Sequence, residues 1–104
     1  MSIKHATFDD SATVAAASIT ASFVNLLALS DDIDVLFAYN TTDAAVVLNV
    51  PSGSALSKSI RLPAQSTISI DCRSNSKRIA KGTIQVKYAS GAPTSGEVTI
   101  TVVR

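Results

Sequence analysis

The chain has little of what site chemistry usually needs. Cys72 is its single cysteine, which excludes an intramolecular disulfide and leaves a cysteine-based metal cluster without ligands. His5 is its single histidine, so a Ser-His-Asp or Cys-His arrangement would have to draw its base from the N-terminal arm. No glycine-rich phosphate cradle and no zinc spacing occurs. Tryptophan is absent, and the aromatic residues are only Phe8, Phe23, Phe37, Tyr39 and Tyr88. No stretch approaches the roughly 20 apolar residues of a membrane-spanning helix. Residues 1–10 lack the apolar segment of a signal peptide, so residence in a cytoplasm without membrane attachment is expected. The net charge of +1 disfavours bulk nucleic-acid binding.

What is present is alternation. Ile84, Val86 and Tyr88 alternate with Thr83, Gln85 and Lys87, and Val98, Ile100 and Val102 alternate with Glu97, Thr99 and Thr101. A period of two places the apolar set on one face of a strand. Gly91, Pro93 and Gly96 punctuate the connection, so these two strands are expected to pair as a closing antiparallel ribbon. Ile33, Val35, Phe37 and Tyr39 form a second in-phase set, and Val46, Leu48 and Val50 a third. The turn Asn40-Thr-Thr-Asp43 between them suggests a hairpin. Thr67 to Cys72 alternates with Ile68, Ile70 and Cys72 on one side, after a short strand Ser59 to Leu62 and a Pro63-Ala-Gln turn. On that phase Cys72 is a small buried hydrophobe. Asn40-Thr41-Thr42 matches the glycosylation sequon but reads as a turn.

Residues 13–29 are ambiguous. Ala and Leu favour helix, whereas Val, Ile, Thr and Phe favour strand. The period of two over Val14, Ala16, Ile19, Ala21 and Phe23 is interrupted once, which a bulge or a break between strands explains, so strand is the expectation. Residues 1–12 read as an N-terminal arm or edge strand and 13–104 as a single domain. The expected class is all-β, an antiparallel β-sandwich, jelly-roll or Ig-like, of about seven or eight strands.

Charge is divided along the chain. Residues 1–52 hold six aspartates against Lys4, and residues 53–104 hold eight Lys and Arg against Asp71 and Glu97. Either the halves interleave and neutralise each other, or opposite faces attract between identical subunits. The candidate interface residues are Asp31, Asp32 and Asp34 in an acidic loop and Arg73, Lys77, Arg78 and Lys81 in a basic one. The aspartates lack EF-hand spacing, so no metal or other cofactor is expected. No aromatic residues interleave with the basic cluster to stack bases. With no tryptophan and both tyrosines expected to face inward, an aromatic platform for carbohydrate is disfavoured. With no catalytic residues to name, the chain is not expected to be an enzyme.

Phe37-Ala-Tyr-Asn-Thr-Thr-Asp-Ala-Ala-Val-Val-Leu-Asn-Val50, Ile60-Arg-Leu-Pro-Ala64 and Gly82-Thr-Ile-Gln-Val-Lys-Tyr-Ala-Ser-Gly-Ala-Pro-Thr-Ser-Gly96 together resemble the small β-sandwich virion structural proteins of tailed bacteriophages. The resemblance covers about residues 33–104 and is one of style. It implies a non-catalytic protein of the head–tail neck or collar, or a capsid decoration protein. It also implies a homo-oligomer whose partners are copies of itself and other virion proteins, made in the host cytoplasm and resident in the virion. The alternative is a non-catalytic module that binds carbohydrate or protein on a fibre or adhesin.

Overall fold

Period-two alternation sets most of the elements that form. The structure, a computed structural model, describes residues 10–51, 59–72 and 78–103. Among these residues eight strands run β1 Asp10–Ala15, β2 Val24–Leu29, β3 Val35–Asn40, β4 Val46–Asn49, β5 Ile60–Leu62, β6 Ser66–Asp71, β7 Gly82–Tyr88 and β8 Glu97–Val103. Of the ambiguous N-terminal stretch, residues 13–15 and 24–29 are strand, the latter bulged between Asn25 and Leu27; residues 16–23 between them are a 3-10 turn at Ala16–Ser18 followed by irregular chain, so the expected strand over Ile19, Ala21 and Phe23 does not form. Most of the expected N-terminal arm, residues 1–9, lies outside the described residues; from Asp10 the chain is β1, an edge strand among the described residues.

The strands form two four-stranded sheets. Sheet A has the order β1-β8-β3-β6 and sheet B the order β2-β7-β4-β5, all antiparallel. Each strand of the first half pairs with one of the second: β1 with β8, β2 with β7, β3 with β6, β4 with β5. The chain is one long hairpin bent back between β4 and β5, then rolled so that β8 also meets β3 and β7 also meets β4. That is the jelly-roll strand order, so of the two sandwich types the jelly roll is the one formed. It also interleaves the acidic and basic halves of the chain strand by strand.

Two expected pairings do not form. Strands β7 and β8 lie in different sheets, and so do β3 and β4. Gly91, Pro93, Gly96 and the Asn40–Asp43 segment do turn the chain, but they carry it across the sandwich. Turn residues mark where a chain reverses and not whether it returns beside itself or roughly 10 Å away on the facing sheet.

The phase of β3 is also reversed. Leu36, Ala38 and Asn40 face inward at 0–1% exposure, while Phe37 and Tyr39 lie half-buried on the outer face. Nearly every residue from Ile33 to Tyr39 is apolar, so the strand's own pattern permits either phase. Its neighbour decides: the register places Ala38 opposite Ile100 and Leu36 opposite Val102, and directly paired residues share a face. Between the sheets lies a core of small branched side chains, including Leu27, Leu48, Leu62, Ile79, Ile84, Val86 and Val98, with Tyr88 packed at its margin.

Candidate assembly surfaces

The acidic loop and residues 78–81 of the basic one meet at one end of the sandwich. Ile33 and Ile79 exchange both backbone hydrogen bonds, at 2.9 and 3.0 Å, and both side chains are buried. This isolated bridge fixes the loops side by side. Arg78 Nε then donates to Asp34 Oδ1 at 2.6 Å, and the Lys81 N–H donates to Asp32 Oδ1 at 2.9 Å. Asp34 is held further by its backbone, whose N–H reaches the Val103 carbonyl and whose carbonyl accepts from Cys72. A recess of about 330 Å³ is lined by Asp31, Asp32, Arg78 and Lys81.

Five of the seven charged residues singled out from the sequence thus come together, and the contacts seen join them within one chain. Arg73 and Lys77 lie outside the described residues, as does His5. The Arg78–Asp34 pair is 42% and 26% exposed, so its contribution to stability is at most about 1 kcal/mol. Cys72 is buried beside the same loops. Burial is the main cause that raises its thiol pKa, with Asp71 and Asp34 adding to it, and the group therefore stays protonated and unreactive.

The opposite end is held by Asn40. Its Nδ2 lies within 3.0–3.1 Å of the carbonyls of Ala44, Leu62 and Pro63, and its Oδ1 accepts from the Thr42 N–H and hydroxyl. The β3–β4 crossing and the β5–β6 turn are tied together there. At 1% exposure, with its amide engaged, the sequon asparagine is inaccessible in the folded chain. Gln65, in the left-handed region at φ 55°, donates to the carbonyls of Thr41 and Thr42 across the same junction. Asp43 accepts from the Thr94 hydroxyl, the Thr94 N–H and the Ser95 N–H. Those bonds, the Thr94 hydroxyl first, hold its carboxyl below the usual range.

The two outer faces differ in chemistry. On sheet A, Phe37 sits between Thr101 and Ser69, and Tyr39 between Thr99 and Thr67. Hydroxyl contacts continue into β1, at 2.9 Å for Thr13 with Thr99 and 3.3 Å for Ser11 with Thr101. The aromatic pair is what the inverted phase of β3 concealed from sequence reading. On sheet B, Asn49 donates to Gln85 and Gln85 to Asn25, an amide ladder across three strands flanking a groove of about 560 Å³. Beside it the Lys87 ammonium lies 5.0 Å from the centre of the Phe23 ring.

The sheet margins differ as well. Sheet B ends on β2, which carries the bulge, and on β5, which has only three residues and runs into Pro63. Sheet A ends on β1 and β6, each six residues long and in unbroken register with its inner neighbour. Bulges, short strands and proline are devices that keep a strand edge from pairing, and among the described residues sheet A has none of them at its margins. Compared with known proteins, the chain matches no family model, no curated protein and no solved structure.

Proposed function

We propose that this protein is a non-catalytic structural subunit of a tailed-bacteriophage virion, assembled with copies of itself and other virion proteins in the neck or collar or on the capsid surface. The observation that carries the reading is the pair of open six-residue margins on sheet A, set against the blunted margins of sheet B. A monomer gains nothing from leaving two regular edges unguarded, whereas a repeated subunit uses them. The jelly roll adds weight by analogy alone, being a common architecture of viral shell proteins. The stylistic resemblance of residues 33–104 points the same way. Immunogold labelling of purified particles tests the reading: label at the neck or over the capsid is expected, and particles free of the protein overturn it.

A second reading has gained an observation. Phe37 and Tyr39 stand on an outer face among serine and threonine hydroxyls, and aromatic rings beside hydroxyls suit the stacking and hydrogen bonding of a sugar. A glycan-array signal from the purified chain that disappears in Tyr39→Ser would favour a carbohydrate-binding module.

A further inference from the structure

We infer that sheet A continues from one copy of this chain into the next, β6 of each subunit pairing antiparallel with β1 of its neighbour. The inference rests on the assembly reading above and names the surface that carries it. Strand polarity is the first argument. An antiparallel sheet with an even number of strands ends on strands of opposite direction, and sheet A has four. Subunits repeated head to tail in one orientation therefore bring β6 beside the next β1 with the antiparallel alternation unbroken. No flip of the neighbour is needed, so the contact is heterologous and can close into a ring.

The backbone supplies the second argument. Alternate residues of a strand direct N–H and C=O to the same side. The Cys72 N–H bonds to Asp34 and the Ala16 N–H to Gly96, so the even-numbered residues of β6 and β1 face their inner neighbours. Thr67 and Ser69 on β6, and Thr13 and Ala15 on β1, consequently turn their N–H and C=O outward. Ser11 is already engaged, its N–H bonded to Asp10 Oδ1 at 2.8 Å, which leaves Thr13 and Ala15 as the open pair of β1.

Side chains agree with that register. Setting Ser69 opposite Thr13 of the neighbour puts Thr67 opposite Ala15, with the outward backbone groups facing each other. On the inner face it sets Ile68 opposite Val14 and Ile70 opposite Ala12. All four are only partly buried in the single chain, although they belong to the core-facing set. Pairing would complete their burial and extend the hydroxyl-bearing outer face from Thr67 and Ser69 onto the next copy.

The test uses proline, which removes one outward N–H and is tolerated on an edge strand. Ser69→Pro blocks β6 and Thr13→Pro blocks β1. Ala15→Pro is a second β1 variant, since Ala15 already has φ −73°. Light scattering of the full chain should give a discrete oligomer for wild type and a monomer for each variant, with the native circular dichroism retained. An equimolar mixture of Ser69→Pro and Thr13→Pro chains retains one intact β6 and one intact β1, so it should form a dimer and nothing larger. That complementation separates a blocked edge from a misfolded chain. An oligomer that survives Ser69→Pro overturns the edge pairing and leaves assembly by another surface standing. A wild type that is monomeric at every concentration overturns both. Loss of assembly in Ser69→Pro but not in either β1 variant would mean a two-fold β6–β6 contact, and the head-to-tail pairing would be wrong.

Discussion

At Asn40 one carboxamide serves carbonyls from two connections and, through its oxygen, fixes Thr42, itself fully buried. Replacing it with alanine removes the donor from the buried Leu62 carbonyl and the part-buried Ala44 and Pro63 carbonyls, and Asn40→Ala should cost about 2–4 kcal/mol, one or two unsatisfied groups' worth. Urea denaturation measures this as a lower midpoint at unchanged slope. Asn40→Asp removes the donors and sets an acceptor against three carbonyls. It should be at least as damaging at neutral pH and recover in part when acid protonates the new carboxyl. Gly96 is a second such position. With φ 84°, a Cβ there would run into the Thr41 carbonyl, so Gly96→Ala should lower the midpoint by more than the strain of the backbone conformation alone, about 1–3 kcal/mol. Asp43 acts through charge. Its folded pKa is depressed, so the stability it contributes is present above the unfolded value and is lost as pH falls through the folded one, below about pH 4. Acid titration followed by circular dichroism should show wild type losing stability more steeply in that window than Asp43→Asn. Parallel curves would remove the clamp from the account.

Among the elements, β3 shows how little a strand's own residues can settle. Its outward Phe37 and Tyr39 are larger and more apolar than its inward Ala38, and the pairing with β8 and β6 nevertheless holds Ala38 at the core face. Leu36→Ala should therefore cost about 2–5 kcal/mol, the usual range for a fully buried leucine, and Tyr39→Ser distinctly less. Equal losses would mean that the two faces of β3 are buried alike. Strand β7 makes the converse point. The alternation of Ile84 and Val86 against Gln85 and Lys87 is legible at once, and both sides of it are realised, apolar into the core and polar onto the outer face, where Gln85 joins the amide ladder and Lys87 lies over Phe23. Where one residue type is confined to one phase, the sequence is decisive; where both phases are apolar, a neighbouring strand is.

In the whole molecule, the first and last of the described strands meet. Among the described residues β1 pairs with β8 alone, and β8 is interior to sheet A, so most of the described polypeptide lies between the two partners of that contact. Closing so long a loop before its pairing is rewarded makes folding slow, and stopped-flow refolding should fall in the millisecond-to-second range of all-β topologies, about 1–1,000 ms. Deleting residues 97–103 removes the shared neighbour of β1 and β3. It should abolish cooperative unfolding altogether, whereas a merely peripheral strand would leave a lowered but sharp transition. The same rolled topology lays each strand of the first half of the chain beside one of the second, and Asp34 of the acidic half meets Arg78 of the basic half.

The strands themselves, their approximate ends at Pro63, Gly82 and Asn40, the branched aliphatic core and the buried Cys72 were determined by the sequence, because alternation and turn chemistry are local and each strand carries its own. Two things were decided only by tertiary structure: which strands are neighbours, and which face of β3 is inside. A turn of the same composition can close a hairpin or cross a sandwich, and an all-apolar strand fits either way up. The free energy that separates those alternatives lies in burial and cross-strand contacts between segments far apart in the chain. The outer aromatic face of sheet A and its two open margins follow from those choices, which is why neither could be read before the sheets were assembled.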